Sequence, residues 1–524
     1  IRNIRQDRSI PVLLHSDLGR LSFVGAYIKR AIKMANDDSQ SYRALHRPQS
    51  EFASRQEYLE HELSIMSPRR WGINLPFRDY RFEIEDWVPA MAATIGKIVM
   101  VAAIVAAFAE PLGLPSSFVI ENARYEMLIA ALLFVVLFSG LLIPTANLAG
   151  THGPLIPLVP IIVASGGHPM ALGIMIGVLG FTLGVFKGGS LLGRLTSDGV
   201  CGGLLLFLGF IGMTSQIKYL YAWAEGFDAG YIAFVVILAT IIMYAYLEHL
   251  GKRWLAIPLG AILAAIIAFA LGAPFEFTTE PGLPHMNPAY WWGEETGWKL
   301  GLPQMHHFIA AAPFAVLAIA MWSPDFLGHR AFQYLNYPKN AKKVVMNIDD
   351  TMCVTAARQV VGTALGGANI ASSWGTYIVP AAIAKRPIPA GAVLTGLLCV
   401  VAAVWGYPMD LAIWPPVLSV ALIVGVYLPL LEAGMQMTRE GKTAQSAAIV
   451  IFSSALVNPV FGWSLTVLLD NIGIIGDKER GQKMTRTDRW IIPSIVFIVL
   501  CTVMAGVGMF QGIPALMESF RALH

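Results

Sequence analysis

Two glycine-rich stretches, Gly150-Thr151-His152-Gly153-Pro154 and Gly366-Gly367-Ala368-Asn369-Ile370-Ala371-Ser372-Ser373-Trp374-Gly375-Thr376, interrupt apolar segments of this chain. We call them the first and the second break; they lie roughly 220 residues apart, at similar places in the two halves. Non-helical backbone at membrane depth is tolerated only where it is buried in protein or lines a cavity. A matched pair of interrupted apolar segments therefore indicates a transporter's binding site.

The composition predicts an all-α polytopic membrane protein. Hydrophobic residues make up 56% of the 524 residues and charged residues only 14%, which leaves too little polar surface for a water-soluble globule of this size. A spanning helix needs about 20 mostly apolar residues. Ten stretches meet or approach that length: 87–110, 125–144, 169–186, 199–217, 229–247, 254–272, 306–323, 388–406, 411–433 and 490–511. Shorter apolar stretches indicate half-spans or core helices: 151–166, 352–367, 376–386, 443–457 and 459–474.

The distribution of charge predicts the orientation. If the basic N-terminus is cytoplasmic, alternate crossings place most Lys and Arg clusters on the cytoplasmic side, as the positive-inside rule requires. The opposite loops carry acidic residues: Glu110, Glu121, Glu225, Asp228, Glu276, Glu280, Glu294 and Glu295. We therefore expect a multi-pass protein of the plasma (inner) membrane with a cytoplasmic N-terminus.

The apolar pattern predicts about 14 transmembrane segments in two inverted repeats of seven. With seven crossings in each half, the second half enters the membrane from the opposite side. The expected divisions are a cytoplasmic N-terminal segment (1–85), a first repeat (86–272), a non-cytoplasmic loop (273–305), a second repeat (306–487) and a C-terminal apolar helix and tail (488–524). The apolar stretch 490–511 in this last division is additional to the fourteen segments, so it either spans the membrane or lies at the membrane interface.

Prolines predict where helices resume after the breaks. Proline suits the first helical position, so a half-helix is expected to begin near Pro154 or Pro157, after a short extended stretch, and another near Pro380. Two half-helix N-termini that face each other present unpaired N–H groups and positive dipole ends, which suit an anion. The alternative is that the glycines serve only close helix packing.

Few ionisable residues lie within the apolar segments. Asp325 is a functional candidate that binds Na⁺ or carries a proton; alternatively it caps its helix or pairs with Arg330. Lys97 either adds positive charge to the site or extends its ammonium to the interface. Arg358 is either a helix-packing charge paired with Asp349 or Asp350, or a charge near the anion path, and we favour the former.

Polar side chains in the breaks complete the candidate set. His152 either donates to a substrate or is a core histidine, and Ser372, Ser373, Thr376 and Tyr377 supply hydroxyls at the second break. The four cysteines have no metal or disulfide spacing. No nucleotide motif, zinc-ligand spacing or nucleophile elbow occurs, so we predict that the chain is not an enzyme. No cofactor beyond Na⁺ is expected, and no nucleic-acid partner.

Several of these runs resemble a known family. Residues 147–154, Gly177-Val178-Leu179-Gly180 and Leu191-Leu192-Gly193-Arg194-Leu195 resemble the third to fifth segments of sulfate-permease-like anion transporters, and so do 362–370 and 375–380. Nucleobase and molybdate transporters share this seven-plus-seven layout. The resemblance covers roughly residues 80–510.

The resemblance implies a core domain of segments one to four and eight to eleven, a gate domain, a homodimer and elevator-like alternating access. It places Asp325 in the coupling role. The candidate substrate-binding residues, with the Ser373 hydroxyl added, are Thr151, His152, Gly153, Ser373, Thr376, Tyr377 and Val379.

Two departures from the family bear on function. Sulfate permeases commonly carry a C-terminal regulatory α/β domain, which this sequence does not show. Nucleobase transporters typically have an acid at the second break, whereas no carboxylate lies between Asp350 and Asp410 here. We therefore predict secondary transport of a small anion (oxyanion, bicarbonate or carboxylate) with Na⁺ or H⁺. The alternatives are a nucleobase-type transporter and an uncoupled anion channel.

Overall fold

The computed structural model describes residues 42–132, 141–143, 153–188, 191, 194–252, 255–336, 345–368, 390–439 and 441–511. Within these ranges the chain is helical, and its only β-type pairing is one isolated bridge between Pro76 and Tyr80. The prediction of an all-α polytopic protein is confirmed.

Eight main helices are described in the first half. They are α1 (Arg55–Ile65), α2 (Ile84–Ala109), α3 (Ser116–Ile129), α4 (Val159–Ala164), α5 (Pro169–Val185), α6 (Asp198–Glu225), α7 (Gly230–His249) and α8 (Ala256–Ala270). A short helix, Tyr42–Leu45, precedes α1, and another, Pro288–Trp291, lies in the loop between the halves.

In the described ranges of the second half there are nine main helices. They are α9 (Met305–Asn336), α10 (Ile348–Leu365), α11 (Ala390–Trp405), α12 (Tyr407–Ile413), α13 (Pro415–Leu422), α14 (Leu428–Met437), α15 (Gly441–Leu456), α16 (Pro459–Ile472) and α17 (Ile492–Gly506). A π-helical turn, Ile423–Tyr427, joins α13 to α14, and a short helix, Lys478–Lys483, precedes α17.

Six described helical stretches are long and apolar enough to cross a membrane: Ile84–Ala109, Asp198–Glu225, Gly230–His249, Met305–Trp322, Pro415–Met437 and Thr487–Gly506. The number becomes seven if α11 and α12, which meet at an 89° bend, form one span. Three shorter apolar stretches accompany them: Leu155–Ala164, Pro169–Val185 and Ala256–Ala270. The protein is therefore multi-pass, and the count of fourteen remains a prediction.

The helix after the first break begins close to the expected residue. A 3-10 turn runs over Gly153–Leu158 and continues directly into α4. Prolines at 154, 157 and 160 lie in its first turns, where a missing N–H costs least. The extended stretch expected before Gly153 and the half-helix expected near Pro380 lie outside the described residues.

Glycines on one face of α5 allow α10 to approach closely. A Cβ atom on Gly177 would lie 2.2 Å from Val360 Cγ2 and 2.8 Å from the Ala356 carbonyl oxygen, and one on Gly173 would lie 2.2 Å from Thr363 Cγ2. Small residues at this spacing are how membrane helices pack without a hydrophobic driving force between them. The helix that leads into the second break is thereby fixed against α5.

The N-terminal segment is folded onto the helices that flank the second break. Arg70 donates from Nε and Nη2 to the two carboxylate oxygens of Asp350, at the start of α10, both at 2.7 Å. Tyr80 is buried in a cluster that includes Ala390 and Val393 of α11. Arg70 therefore has a specific bidentate partner in α10.

We predict that Gly177→Ala lowers the apparent melting temperature of the detergent-purified protein. The added methyl overlaps α10, and overpacking of this kind costs about 1–3 kcal/mol. Gly391→Ala is the matched control, because it is a helical glycine whose added Cβ meets no atom within 4 Å. A Gly177→Ala protein as stable as the Gly391→Ala protein would contradict close packing of α5 on α10.

Candidate functional site

Most of the candidate substrate-binding residues predicted from the sequence cannot be compared with the structure. Gly153 begins the helical turn that leads into α4. Asp325 belongs to α9, but in this part of the helix only the backbone is described. The other candidates lie outside the described residues: Thr151, His152, Ser373, Thr376, Tyr377 and Val379. Their roles stay predictions.

Lys97 is buried at the middle of α2. Its side chain is 2% exposed, and its Nζ has no hydrogen-bond partner among the described residues. At 1.5 Å per residue, Lys97 lies about 18 Å or more from either end of α2, well beyond the reach of its side chain to an interface. Lys97 therefore places its charge inside the protein, and α2 contacts both the turn after the first break and α4.

Arg358 is also fully buried, at the middle of α10. None of its three guanidinium nitrogens has a hydrogen-bond partner within the described part of the chain. The interpretation that it pairs with Asp349 or Asp350 is wrong, since Asp350 binds Arg70 of the N-terminal segment instead. The guanidinium thus lies in the interior with unused donors.

The helical register shows where Arg358 points relative to α5. It lies two residues from Ala356 and from Val360, which meet Gly177, and so about 160° around the helix from both. The face of α10 that carries Arg358 is therefore the one turned away from α5.

Lys97 has one cation and one carboxylate near it. Lys97 is within electrostatic range of Arg358, which repels it, and of Glu126 on α3, which attracts it. Glu126 is 0% exposed, and its Oε1 accepts a hydrogen bond from the backbone N–H of Ala368, inside the second break. Three charges from α2, α3 and α10 are thus gathered beside this break. We call Lys97, Glu126 and Arg358 the charged cluster.

Helix α3 holds the start of the second break with further hydrogen bonds. Asn122 Nδ2 donates to the Gly366 carbonyl oxygen at 3.0 Å, and the Tyr125 hydroxyl donates to the Leu365 carbonyl oxygen at 2.8 Å. These bonds satisfy carbonyl groups that the C-terminal end of α10 leaves without an intrahelical partner. The position of the break relative to the charged cluster is fixed by these contacts.

Tryptophans of the loop between the halves cover the same point. Trp292 Nε1 donates to the Thr363 carbonyl oxygen and Trp298 Nε1 to the Gly366 carbonyl oxygen, both at 2.9 Å. Trp291 is fully buried against Gly366. The sequence analysis treated this loop only as a polar division between repeats. The three closely spaced tryptophans in this loop could have indicated that it packs against the helices, because a buried indole needs a hydrogen-bond partner for its N–H.

No metal centre is found in the described ranges. They contain no group of three or more His, Cys, Asp or Glu side chains that could hold a metal ion. Sodium binding at Asp325 stays a prediction.

The comparison of sequences gives a family. The sequence profile of a family described as "Protein of unknown function (DUF3360)" matches residues 33–517. The chain belongs to the DUF3360 family. A search of the curated proteins found no match.

The comparison of solved structures gives a fold for this DUF3360 protein. It resembles the overall structure of SLC26A9 with a TM-score of 0.51 and 13% identity, over 74% of this chain and 65% of that one. The chain thus spans less than two thirds of the length of SLC26A9. A second match is the transmembrane domain of the cyanobacterium bicarbonate transporter BicA, with a TM-score of 0.44 and 14% identity over 74% of this chain and 97% of that one. A third is the murine Slc26a9 anion transporter in the inward-facing state, with a TM-score of 0.49 and 11% identity over 75% of this chain and 69% of that one. The predicted sulfate-permease-like fold is confirmed.

We predict that Gly366→Ala destabilises the DUF3360 protein more than Gly272→Ala does. Both glycines have positive φ, at +124° and +83°, a conformation that costs a residue with a Cβ about 1–3 kcal/mol. Only at Gly366 would the new Cβ also meet a neighbour, Trp291 Cβ at 2.4 Å. Thermal melting of the two variants measures the difference, and equal losses would argue against tight closure of the break by the tryptophan loop.

Proposed function

We propose that this DUF3360 protein is a secondary transporter of a small anion of the oxyanion, bicarbonate or carboxylate type. The observation that carries the proposal is the buried pair Lys97 and Arg358, whose nitrogens have no hydrogen-bond partner among the described residues. Burial of an uncompensated charge is among the costliest arrangements in a protein, so such a pair requires a negative partner.

The described residues offer little negative charge at this place. The described side chains around Lys97 supply one carboxylate, Glu126, against two cations. The sequences 144–152 and 369–389, which contain most of the two breaks, include no Asp or Glu. An anion from solution is the natural partner for the excess positive charge.

The location of the charged cluster fits a transport site. It lies on helices that contact the turn after the first break and the residues that begin the second. Backbone N–H groups at helix starts add a favourable field for an anion without adding a permanent charge. Such a site binds an anion strongly enough to select it and still releases it.

The mechanism proposed is elevator-like alternating access in a homodimer, with the N-terminus cytoplasmic and Asp325 as the Na⁺ or H⁺ coupling residue. The likeness of the fold to that of SLC26A9 is consistent with this proposal. Apolar residues exposed on α17, including Ile495, Ile498 and Val499, suit contact with membrane lipid.

A nucleobase is the second candidate substrate, and one observation favours it. The sequence has no acid between Asp350 and Asp410, but Glu126 reaches the second break from α3 and supplies a carboxylate there. A nucleobase presents N–H donors that such a carboxylate accepts. The neighbouring cations favour an anion over this neutral ligand.

Ligand-induced thermal stabilisation distinguishes the two candidates. The purified protein is melted with sulfate, nitrate, bicarbonate, formate or uracil, each with and without Na⁺. Binding to the native state stabilises it by RT ln(1 + [L]/Kd), about 2.7 kcal/mol at 100 times Kd. A shift with one or more anions supports the proposal, whereas a shift with uracil alone would replace it.

We predict that Lys97→Met and Arg358→Met each weaken anion binding by at least roughly 30-fold, because loss of one desolvated charge partner costs about 2–5 kcal/mol. Lys218→Met, an exposed lysine on α6, is the control for loss of one positive charge. Anion titrations of the melting temperature give the dissociation constants. Wild-type affinity in both Lys97→Met and Arg358→Met would remove the basis of the proposed site.

We predict that Asp325→Asn abolishes Na⁺-dependent uptake in proteoliposomes while the protein still folds. The substitution removes the negative charge but keeps the side-chain size, so cation binding alone is lost. Uptake that keeps its full Na⁺ dependence in this variant would exclude Asp325 from the coupling role.

A further inference from the structure

Glu126 occupies the position that a bound anion would need. Its carboxylate is fully buried, accepts the Ala368 N–H in the second break and attracts the Lys97 ammonium. These are the two kinds of donor, a backbone amide and a buried cation, that bind small oxyanions in proteins. The carboxylate therefore acts at this site as an anion that the chain itself supplies.

A second anion cannot easily share these donors with the Glu126 carboxylate. Two negative groups in one buried site repel each other, and a proton on one of them relieves the repulsion. A protonated Glu126 is a weaker acceptor for the Ala368 N–H and no longer neutralises Lys97. Protonation thus frees both donors at once.

Resting on the proposed function, we propose that Glu126 is a built-in competitor for the transported anion, and that each anion enters with one proton, which Glu126 takes up. The proton bonds to a carboxylate oxygen of Glu126, and no bond in the anion is made or broken. The charged cluster then carries two positive charges and binds the anion. Release of the anion on the other side is followed by loss of the proton and return of the carboxylate to Ala368.

The other charged or titratable groups near α3 have separate partners or are neutral. Helices α2, α11 and α12 pack against α3, and the end of α10 meets it at the second break. Besides Lys97 and Arg358, these helices carry Cys399 on α11 and Tyr407 and Asp410 on α12, with Glu85 and Asp86 in the first turn of α2 and Asp349, Asp350 and Cys353 toward the start of α10. Glu85 pairs with Arg55, Asp86 accepts from the Glu83 backbone N–H, and Asp350 pairs with Arg70. Asp410 Oδ1 accepts from the Thr278 hydroxyl at 2.7 Å, and on α3 itself Glu121 pairs with Arg124 at 3.2 Å.

The test uses proteoliposomes without Na⁺, with the membrane potential held at zero and radiolabelled sulfate or nitrate as the probe. Neither probe ion is protonated near neutral pH, so any proton bound belongs to the protein. In the wild-type protein an inward proton gradient is expected to accumulate the probe about tenfold per pH unit, the value for one proton per anion. Glu126→Gln should exchange the probe but lose this accumulation, and the control Glu121→Gln should keep it.

The outcomes separate the two proposals. If Glu126→Gln retains proton-driven accumulation, the competitor role is wrong while anion transport stands. If the wild-type protein neither binds nor moves sulfate, nitrate, bicarbonate or formate in any gradient, the proposed function fails first. If Glu126→Gln does not fold, the number of protons that the wild-type protein takes up from a weakly buffered solution on binding sulfate provides the test. We expect about one proton for each sulfate bound. Sulfate binding without proton uptake would overturn the inference.

Discussion

One constraint governs the rest of this structure: two cationic side chains, Lys97 and Arg358, are buried in the interior of a membrane protein, and their nitrogens have no hydrogen-bond partner among the described residues. Such charges are expensive, and within membrane-spanning helices they mark ion paths and binding sites by default. Here they come from helices in opposite halves of the chain. The site is therefore a product of the tertiary fold rather than of either half alone.

The rest of the structure serves to hold this arrangement. Glycines of α5 fix α10 on one side, which leaves the Arg358 face turned toward the interior. Side chains of α3 and the tryptophan loop bind the carbonyl groups at the end of α10, so the second break begins at a defined point. Close packing of this kind is rigid, so the position of the second break relative to the charged cluster is well defined.

The sequence predicted the fold better than it predicted the site. The length of the apolar stretches and the two interrupted segments were enough to predict the all-α class, because they are local patterns in the sequence. The family resemblance was enough to predict the sulfate-permease-like fold, because it too depends on short local runs of residues. The sequence marked Lys97 as a candidate, but it left open whether the side chain is buried or reaches the membrane interface, because only the packing of the helices shows that it is buried. The bond between Glu126 and Ala368 joins residues 242 positions apart, and no local pattern marks it. The pairing predicted for Arg358 failed for the same reason: Asp350 is bound by Arg70, 280 positions away.

The most direct test of the central claim is an experimental map of the protein grown or soaked with a heavy anion such as bromide or selenate. The account predicts density for the anion between α2 and α10, within hydrogen-bonding distance, about 3 Å, of Lys97 Nζ and the Arg358 guanidinium. A map in which both side chains are instead paired with a carboxylate of the chain, Asp325 or Glu126, and in which no anion is bound, would contradict it.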